Sequence, residues 1–184
     1  MFSELFYWTR LHFIEILATL TALLYIYYSI KRKIILWLFG FISSALSVYV
    51  FFASKFYADM SLNLYYVAIS VYGYLRWKKG AKGEDEEALE ISKTNFSLSV
   101  VLLSITVALF IIMAFVLKNY TDSDVAYMDA FTTAASITAT WMLAEKKLEH
   151  WYIWIIVDIV SAGLYFYKGL YIFVFLFILY HSLY

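Results

Sequence analysis

The chain has 184 residues, of which 64% are hydrophobic, 22% aromatic and only 15% charged. Soluble domains are nearer half apolar and a quarter charged, so this composition excludes a water-soluble enzyme and a nucleic-acid-binding protein. The 14 Lys and Arg balance the 14 Asp and Glu, which leaves no basic excess for a polyanionic partner. Because the chain contains no Cys, disulfides, thiol catalysis and Cys-ligated metals are excluded as well.

Apolar segments recur along the whole chain at about the 20 residues that a membrane-spanning helix needs. Short alternating segments of the kind found in membrane barrels are absent, so we predict helices. The predicted fold is all-α and polytopic, a single membrane domain over residues 1–184. Its seven spans cover residues 12–30, 34–53, 58–77, 97–117, 127–143, 151–167 and 170–184.

The loops between these spans differ in their content of Lys and Arg. Ten of the 14 fall on one side, in residues 31–33, 76–93 and 146–147, and four on the other, namely Arg10, Lys55, Lys118 and Lys168. Lys and Arg concentrate in cytoplasmic loops. We therefore predict an external N-terminus, a cytoplasmic C-terminus and a solvated cytoplasmic loop over residues 80–93.

A weak internal repeat relates the two ends of the chain. Trp37 and Trp154 are 117 residues apart, and the dipeptide Ser-Ala recurs at that offset, at residues 44 and 161. Two successive sets of three helices keep the same orientation only if one further helix separates them, and such parallel repeats occur in transporters. We therefore predict a 3+1+3 arrangement, with a first repeat over 12–77, a linker helix over 97–117 and a second repeat over 127–184.

Polar and aromatic residues recur every three or four positions in several spans, so each of these helices carries one polar stripe. Such stripes can line a water-accessible path, or they can serve close helix packing. Asp158 lies near the middle of its span, where a carboxylate is costly. Trp8, Trp37 and Trp77 are predicted to lie at the membrane interface. The stripes include Asn63, Tyr66, Ser136, Thr140, Trp151, Trp154 and Asp158.

The chemistry of these residues favours binding over catalysis. A cation gains about 0.5–2 kcal/mol on an aromatic face, flat rings stack on the same faces, and a carboxylate such as Asp158 favours positive charge. A flat, cationic small molecule therefore fits the sixth span. No catalytic, cofactor-binding or metal-binding motif is present, and the acid and His relay of a proton-coupled carrier is missing.

The segments that carry these stripes resemble the PnuC-type vitamin transporter family. They are WYIWIIVDIVSAGLYFYKGLY (151–171), DAFTTAASITATWMLAEKKLEHW (129–151), LYYVAISVYGYLRW (64–77) and FYAD (56–59). The resemblance covers nearly the whole chain and implies a seven-helix 3+1+3 fold related to the SWEET sugar transporters. It also implies a homotrimer in a bacterial inner membrane, without cofactor or metal.

The resemblance implies facilitated diffusion of a water-soluble vitamin, by default nicotinamide riboside, which a cytoplasmic kinase phosphorylates and thereby traps. It implies that Trp151 and Trp154 stack on or gate the vitamin ring and that Asn63 and Thr140 hydrogen-bond to hydroxyls or ring nitrogens of the vitamin. Tyr66, Ser136 and Asp158 would complete the polar lining.

Because of departures from the family pattern, thiamine stays open as a second substrate beside nicotinamide riboside. Members that handle nicotinamide riboside often carry Gln at the positions of Asn63 and Thr140, and residues 161–164 resemble members assigned to thiamine. A proton-coupled carrier and a non-transporting membrane subunit or sensor remain as alternatives of other classes. Because the chain has no Pro, any rocking motion is predicted to use Gly73, Gly163 or the loops.

Overall fold

A computed structural model of the protein describes residues 2–53, 57–80, 91–121 and 124–167. These described residues form six α-helices, which correspond to the first six predicted spans. The seventh predicted span, 170–184, lies outside the described residues. The first helix begins at Phe2 rather than near residue 12. The helices are α1 (Phe2–Ile30), α2 (Leu36–Ala53), α3 (Tyr57–Gly80), α4 (Phe96–Tyr120), α5 (Ala126–Ala144) and α6 (His150–Tyr167).

Two of these helices, α2 and α4, are long and apolar enough to span a membrane by length and composition alone. The apolar stretches of α1 and α6 are shorter, Ile16–Ile30 and His150–Gly163. The polar stripes of α3 and α5 lower the hydropathy of those two helices. Length and composition therefore single out two spans among the described residues, fewer than the sequence pattern predicts.

The chain forms two compact units, Met1–Glu90 and Ile91–Tyr184. In the first unit α2 packs on both α1 and α3, and in the second α5 packs on both α4 and α6. The helix predicted as a linker, 97–117, is α4, which packs on α5 inside the second unit. Its role as a linker between repeats stays a prediction.

Two tryptophans form the centre of the first unit. Trp37 of α2 and Trp77 of α3 are 1% and 2% exposed, and their rings meet edge to face at 5.7 Å. A Cβ atom at Gly73 would lie 2.4 Å from the Trp37 indole, so only glycine permits this approach. The prediction that both rings lie at the membrane interface is therefore wrong, because neighbouring helices cover them.

Small and hydroxyl residues bring the helices of the first unit close together. Gly40 of α2 lies under the ring of Tyr25, where a Cβ atom would be 2.9 Å from Cδ2. Ser43 of α2 donates a hydrogen bond to the carbonyl of Ala18 in α1 at 3.0 Å. These contacts are those expected of helices that pack through small residues and cross-helix hydrogen bonds in a membrane.

The second unit is built around α5, whose alanines pack against α4. Ala126 and Ala130, four residues apart, form a buried cluster with Ala114 and Leu117 of α4. Farther along the pair, the hydroxyls of Thr106 and Thr138 are hydrogen-bonded at 2.7 Å. The Ala and Thr content of α5 therefore has a packing role along its contact with α4.

The turn between α1 and α2 and the turn between α5 and α6 share one backbone structure at an offset of 114 residues. The last residues of α1 and α5 are 114 residues apart, and so are the first residues of α2 and α6. The helices α2 and α6 each have 18 residues. Arg32 and Lys146 both have a positive φ, of 53° and 49°. The residue after each of them donates a hydrogen bond to the carbonyl five residues earlier, at 3.0 and 2.9 Å. The backbone therefore repeats this turn, whereas the repetition of three whole helices stays a prediction.

The offset of this repeated turn is three residues smaller than the offset of the predicted repeat. The offset of 114 pairs Trp37 with Trp151 and Gly40 with Trp154, whereas the sequence pattern paired Trp37 with Trp154. A shift of three residues is close to one helical turn of 3.6 residues and keeps side chains near the same face. The spacing of Trp and Ser therefore could not distinguish the two registers.

Candidate functional site

The predicted stripe of α6 lies between a buried and an exposed face of that helix. Trp151, Trp154 and Asp158 are all partly buried, and Val157, beside them, is buried. The face of α6 opposite Val157 is exposed and apolar, and it contains Tyr152, Ile156, Ile159 and Phe166. The three candidate side chains therefore share one flank of α6, as their spacing predicts, and point away from its exposed apolar face.

Their depths along α6 differ. Trp151 lies in the first turn, with its ring 4.5 Å from the imidazole of His150. Trp154 lies about one turn farther along. Asp158 follows after another turn, about 12 Å from the start of a helix about 27 Å long. The carboxylate is thus at mid-helix, as predicted, whereas Trp151 is near the helix end.

The two candidates of α5 are buried. Ser136 and Thr140 are 6% and 4% exposed, and Thr140 Oγ1 donates a hydrogen bond to the Ser136 carbonyl at 2.7 Å. The single hydroxyl proton of Thr140 is therefore used within the helix, and the oxygen can still accept one. A ligand group that donates a hydrogen bond would suit this position better than one that accepts.

The remaining two candidates belong to the first unit. Asn63 and Tyr66 of α3 are partly buried. The carbonyl of Tyr66 accepts a hydrogen bond from Ser70 Oγ at 2.7 Å, one turn along the same stripe. The structure thus places five candidates on the packed pair α5 and α6, and two on α3. The formation of one site by all seven stays a prediction.

The charges of α5 and α6 favour a cationic ligand over an anionic one. These two helices contain no Lys or Arg, and their acidic residues are Asp129 and Asp158. A phosphate group would find no Lys or Arg on either helix, whereas a positive ring near Asp158 would gain electrostatic stabilisation. Among the described residues, no group of three His, Asp or Glu side chains could hold a metal ion.

One polar cluster of the second unit has no counterpart in the predicted site. The carboxylate of Glu149 accepts hydrogen bonds from the backbone N–H of Thr94, at 3.0 and 3.1 Å, and from Thr94 Oγ1 at 2.7 Å. Burial alone would raise the pKa of Glu149, but the hydrogen bonds from Thr94 and the charge of Lys147 outweigh it and hold the pKa below its usual range. The two partners are 55 residues apart, so no local spacing could have indicated this contact.

Comparison with known proteins identifies the family to which the chain belongs. Residues 12–183 match the family described as "Nicotinamide mononucleotide transporter". The chain belongs to this family.

Relatives within the family have names that specify a riboside. The nicotinamide riboside transporter PnuC of Neisseria mucosa is 30% identical over 150 residues, which cover 80% of this chain and 57% of that protein. The protein of the same name from Escherichia coli is 25% identical over 184 residues, which cover 88% and 77%. The chain thus spans little more than half of the Neisseria mucosa protein.

A solved structure has the same fold. The crystal structure of the vitamin B3 transporter PnuC matches 98% of this chain and 86% of its own, with a TM-score of 0.67 and 25% sequence identity. The resemblance to PnuC-type transporters is therefore confirmed. Since the family consists of transporters and the helices are apolar, the chain is a helical membrane protein of a transport family rather than of an enzyme family.

Proposed function

We propose that this protein is a uniporter that moves nicotinamide riboside across the membrane by facilitated diffusion. The observation that carries the proposal is the flank of α6, where Trp151 and Trp154 lie one turn apart and Asp158 follows at mid-helix. Nicotinamide riboside has a flat pyridinium ring with a positive charge. Its ring can stack on indole faces, and the carboxylate stabilises its charge.

The electrostatics of α5 and α6 favour the riboside over the mononucleotide. The two differ by a phosphate, and neither helix carries Lys or Arg to balance it. An uncompensated anion beside Asp158 would be strongly disfavoured inside a membrane. The names of the curated relatives agree with this choice.

Each candidate residue has a proposed role. Trp151 and Trp154 stack on the ring or gate its passage, and Asp158 balances its charge. Thr140, whose proton is committed to Ser136, accepts a hydrogen bond from the ribose. Asn63, Tyr66 and Ser136 supply further polar lining.

The proposed architecture has seven helices in a 3+1+3 parallel repeat, as in the SWEET transporters, and forms a homotrimer. The repeated turn at an offset of 114 residues supports it, since parallel repeats reproduce the same turn on the same side of the membrane. The ten-to-four distribution of Lys and Arg supports an external N-terminus and a cytoplasmic C-terminus in a bacterial inner membrane. A cytoplasmic vitamin kinase then traps the transported molecule, and no cofactor takes part.

The first test is binding and uptake by the purified protein. We expect nicotinamide riboside to quench tryptophan fluorescence and to enter proteoliposomes without a pH gradient. Trp154→Ala should abolish uptake, because the stacking surface is lost. The matched control is Tyr152→Ala, which removes an aromatic ring from the exposed face of the same helix and should retain uptake.

Other outcomes of this test separate the alternatives. Thiamine is a flat cation too, so stronger quenching and faster uptake with thiamine would reassign the substrate. Acceleration by a pH gradient, lost in Asp158→Asn, would indicate a proton-coupled carrier. A folded protein that transports neither vitamin nor the mononucleotide would be a membrane subunit or sensor, and the proposal would be wrong.

A further inference from the structure

The segment before α4 is attached to the turn before α6. Ser92 N–H donates to the Lys146 carbonyl at 3.1 Å, and Leu148 N–H donates to the Ser92 carbonyl at 3.1 Å. This is one rung of a parallel bridge, in which Lys147 also donates from Nζ to Ser92 Oγ at 2.9 Å. Two residues farther along each segment, Thr94 and Glu149 form the three hydrogen bonds described above. We name Ser92, Thr94, Lys147 and Glu149 together the clamp.

The clamp joins the starts of two helices. Thr94 immediately precedes Asn95, whose side chain caps α4 by accepting a hydrogen bond from Leu98 N–H at 2.8 Å. Glu149 immediately precedes α6, and Trp151 lies two residues later. Any displacement between these two ends would therefore be transmitted directly to the first turn of α6.

The first unit contains an internal control for the clamp. At the offset of 114 residues, Lys33 and Ile35 occupy the positions of Lys147 and Glu149 in the α1–α2 turn. That turn has the same backbone hydrogen bonds and the same positive φ, although Ile35 has no carboxylate. The turn therefore folds without Glu149, and the carboxylate serves the attachment of the segment before α4.

We propose that the clamp positions the first turns of α6, and with them Trp151 and Trp154, for substrate binding. Glu149 is thus a positioning residue that acts through the two indoles. Hydrogen bonds to a carboxylate are shorter and stronger than neutral ones, which suits a contact that must keep a binding surface preorganised. This inference rests on the proposed function, because it assumes that the two indoles bind the substrate.

The test compares Glu149→Gln and Thr94→Val with wild type in proteoliposomes, using nicotinamide riboside. If either substitution loosens the clamp so that α6 is in its binding-competent position for only a tenth to a third of the time, the Kd for nicotinamide riboside and the KM of its uptake rise about three- to tenfold. Vmax should stay within about twofold, and Thr94→Ser should restore the wild-type KM. The double variant should raise the KM by less than the product of the two single effects, since Thr94 and Glu149 belong to the same contact.

The matched control is Ile35→Gln, the same side chain at the equivalent position of the other turn, which should leave KM unchanged. A wild-type KM in folded Glu149→Gln and Thr94→Val would overturn the proposal. If Glu149→Gln does not fold, Thr94→Val and Thr94→Ser decide it alone. Absence of uptake by wild type would instead refute the proposed function. The clamp would then be tested by acrylamide quenching in a variant whose only tryptophan is Trp151. Adding Glu149→Gln should make the Trp151 ring more accessible to acrylamide. Unchanged quenching of Trp151 would count against the clamp.

Discussion

Substitution of Gly73 by Ala tests the packing of the first unit most directly. The new Cβ atom would lie 2.4 Å from Cε2 and Cζ2 of Trp37. Carbon atoms pack at about 3.5–4.0 Å, so the indole would have to move by about 1 Å or more. Trp37 is 1% exposed and meets Trp77 at 5.7 Å, which leaves the ring no free direction.

The expected loss follows from three effects of known size. Overpacking of a filled core costs about 1–3 kcal/mol, and disturbance of the Trp37–Trp77 pair costs up to about 1.5 kcal/mol. Replacement of glycine by alanine inside a helix stabilises the helix by about 1 kcal/mol, because alanine has the higher helix propensity. The net loss in the free energy of unfolding is about 2 kcal/mol, or a fall in Tm of about 4–8 °C for a protein of this size.

The assay is thermal unfolding of the detergent-solubilised protein, followed by tryptophan fluorescence. Gly163→Ala is the matched control, because nothing lies within 4 Å of its added Cβ atom, and it should be neutral or slightly stabilising. Gly40→Ala should fall between the two, since its Cβ atom would be 2.9 Å from Tyr25. A Gly73→Ala protein as stable as wild type would refute this account of the Trp37 contact.

Three further outcomes follow from individual contacts. A double-mutant cycle of Thr106→Val and Thr138→Val should give a coupling of about 0.6–1.7 kcal/mol, because their hydroxyls are 2.7 Å apart between helices; a coupling near zero would contradict this bond. The pKa of Glu149 is lower in the folded protein than in the unfolded chain, so ionised Glu149 stabilises the fold. The Tm of wild type should therefore exceed that of Glu149→Gln by its full amount at neutral pH, and the difference should shrink as the pH falls through the lowered pKa. An advantage that grew on acidification would have the wrong sign. Tyr127→Phe removes an exposed hydrogen bond from Lys118 of 3.1 Å, and unfolding measurements should show a change below about 1 kcal/mol.

Much of the candidate site could be read from helical spacing alone. Trp151, Trp154 and Asp158 share a flank of α6 because residues three and four apart lie on the same face of any helix. For the same reason Ser136 and Thr140 share a face of α5. The hydrogen bond from Thr140 to the Ser136 carbonyl could not be predicted from the sequence, since it depends on the side-chain rotamer of Thr140.

Contacts between distant segments could not be read in this way. Trp37 and Trp77 look like interfacial aromatics because they lie near the ends of their helices. Their burial is visible only when Gly73 brings α3 against α2. The bond from Thr94 to Glu149 closes across 55 residues and has no periodic signature.

The sequence by itself determined the class of the protein, its helices and its family. Long apolar segments must form helices in a membrane, because every backbone polar group needs a partner within the segment. The tertiary structure decided the offset at which the turn recurs, the burial of the two tryptophans and the clamp before α6. A shift of three residues leaves a helix face almost unchanged, so only the repeated turn, with its two positive φ values 114 residues apart, distinguishes one register from the other.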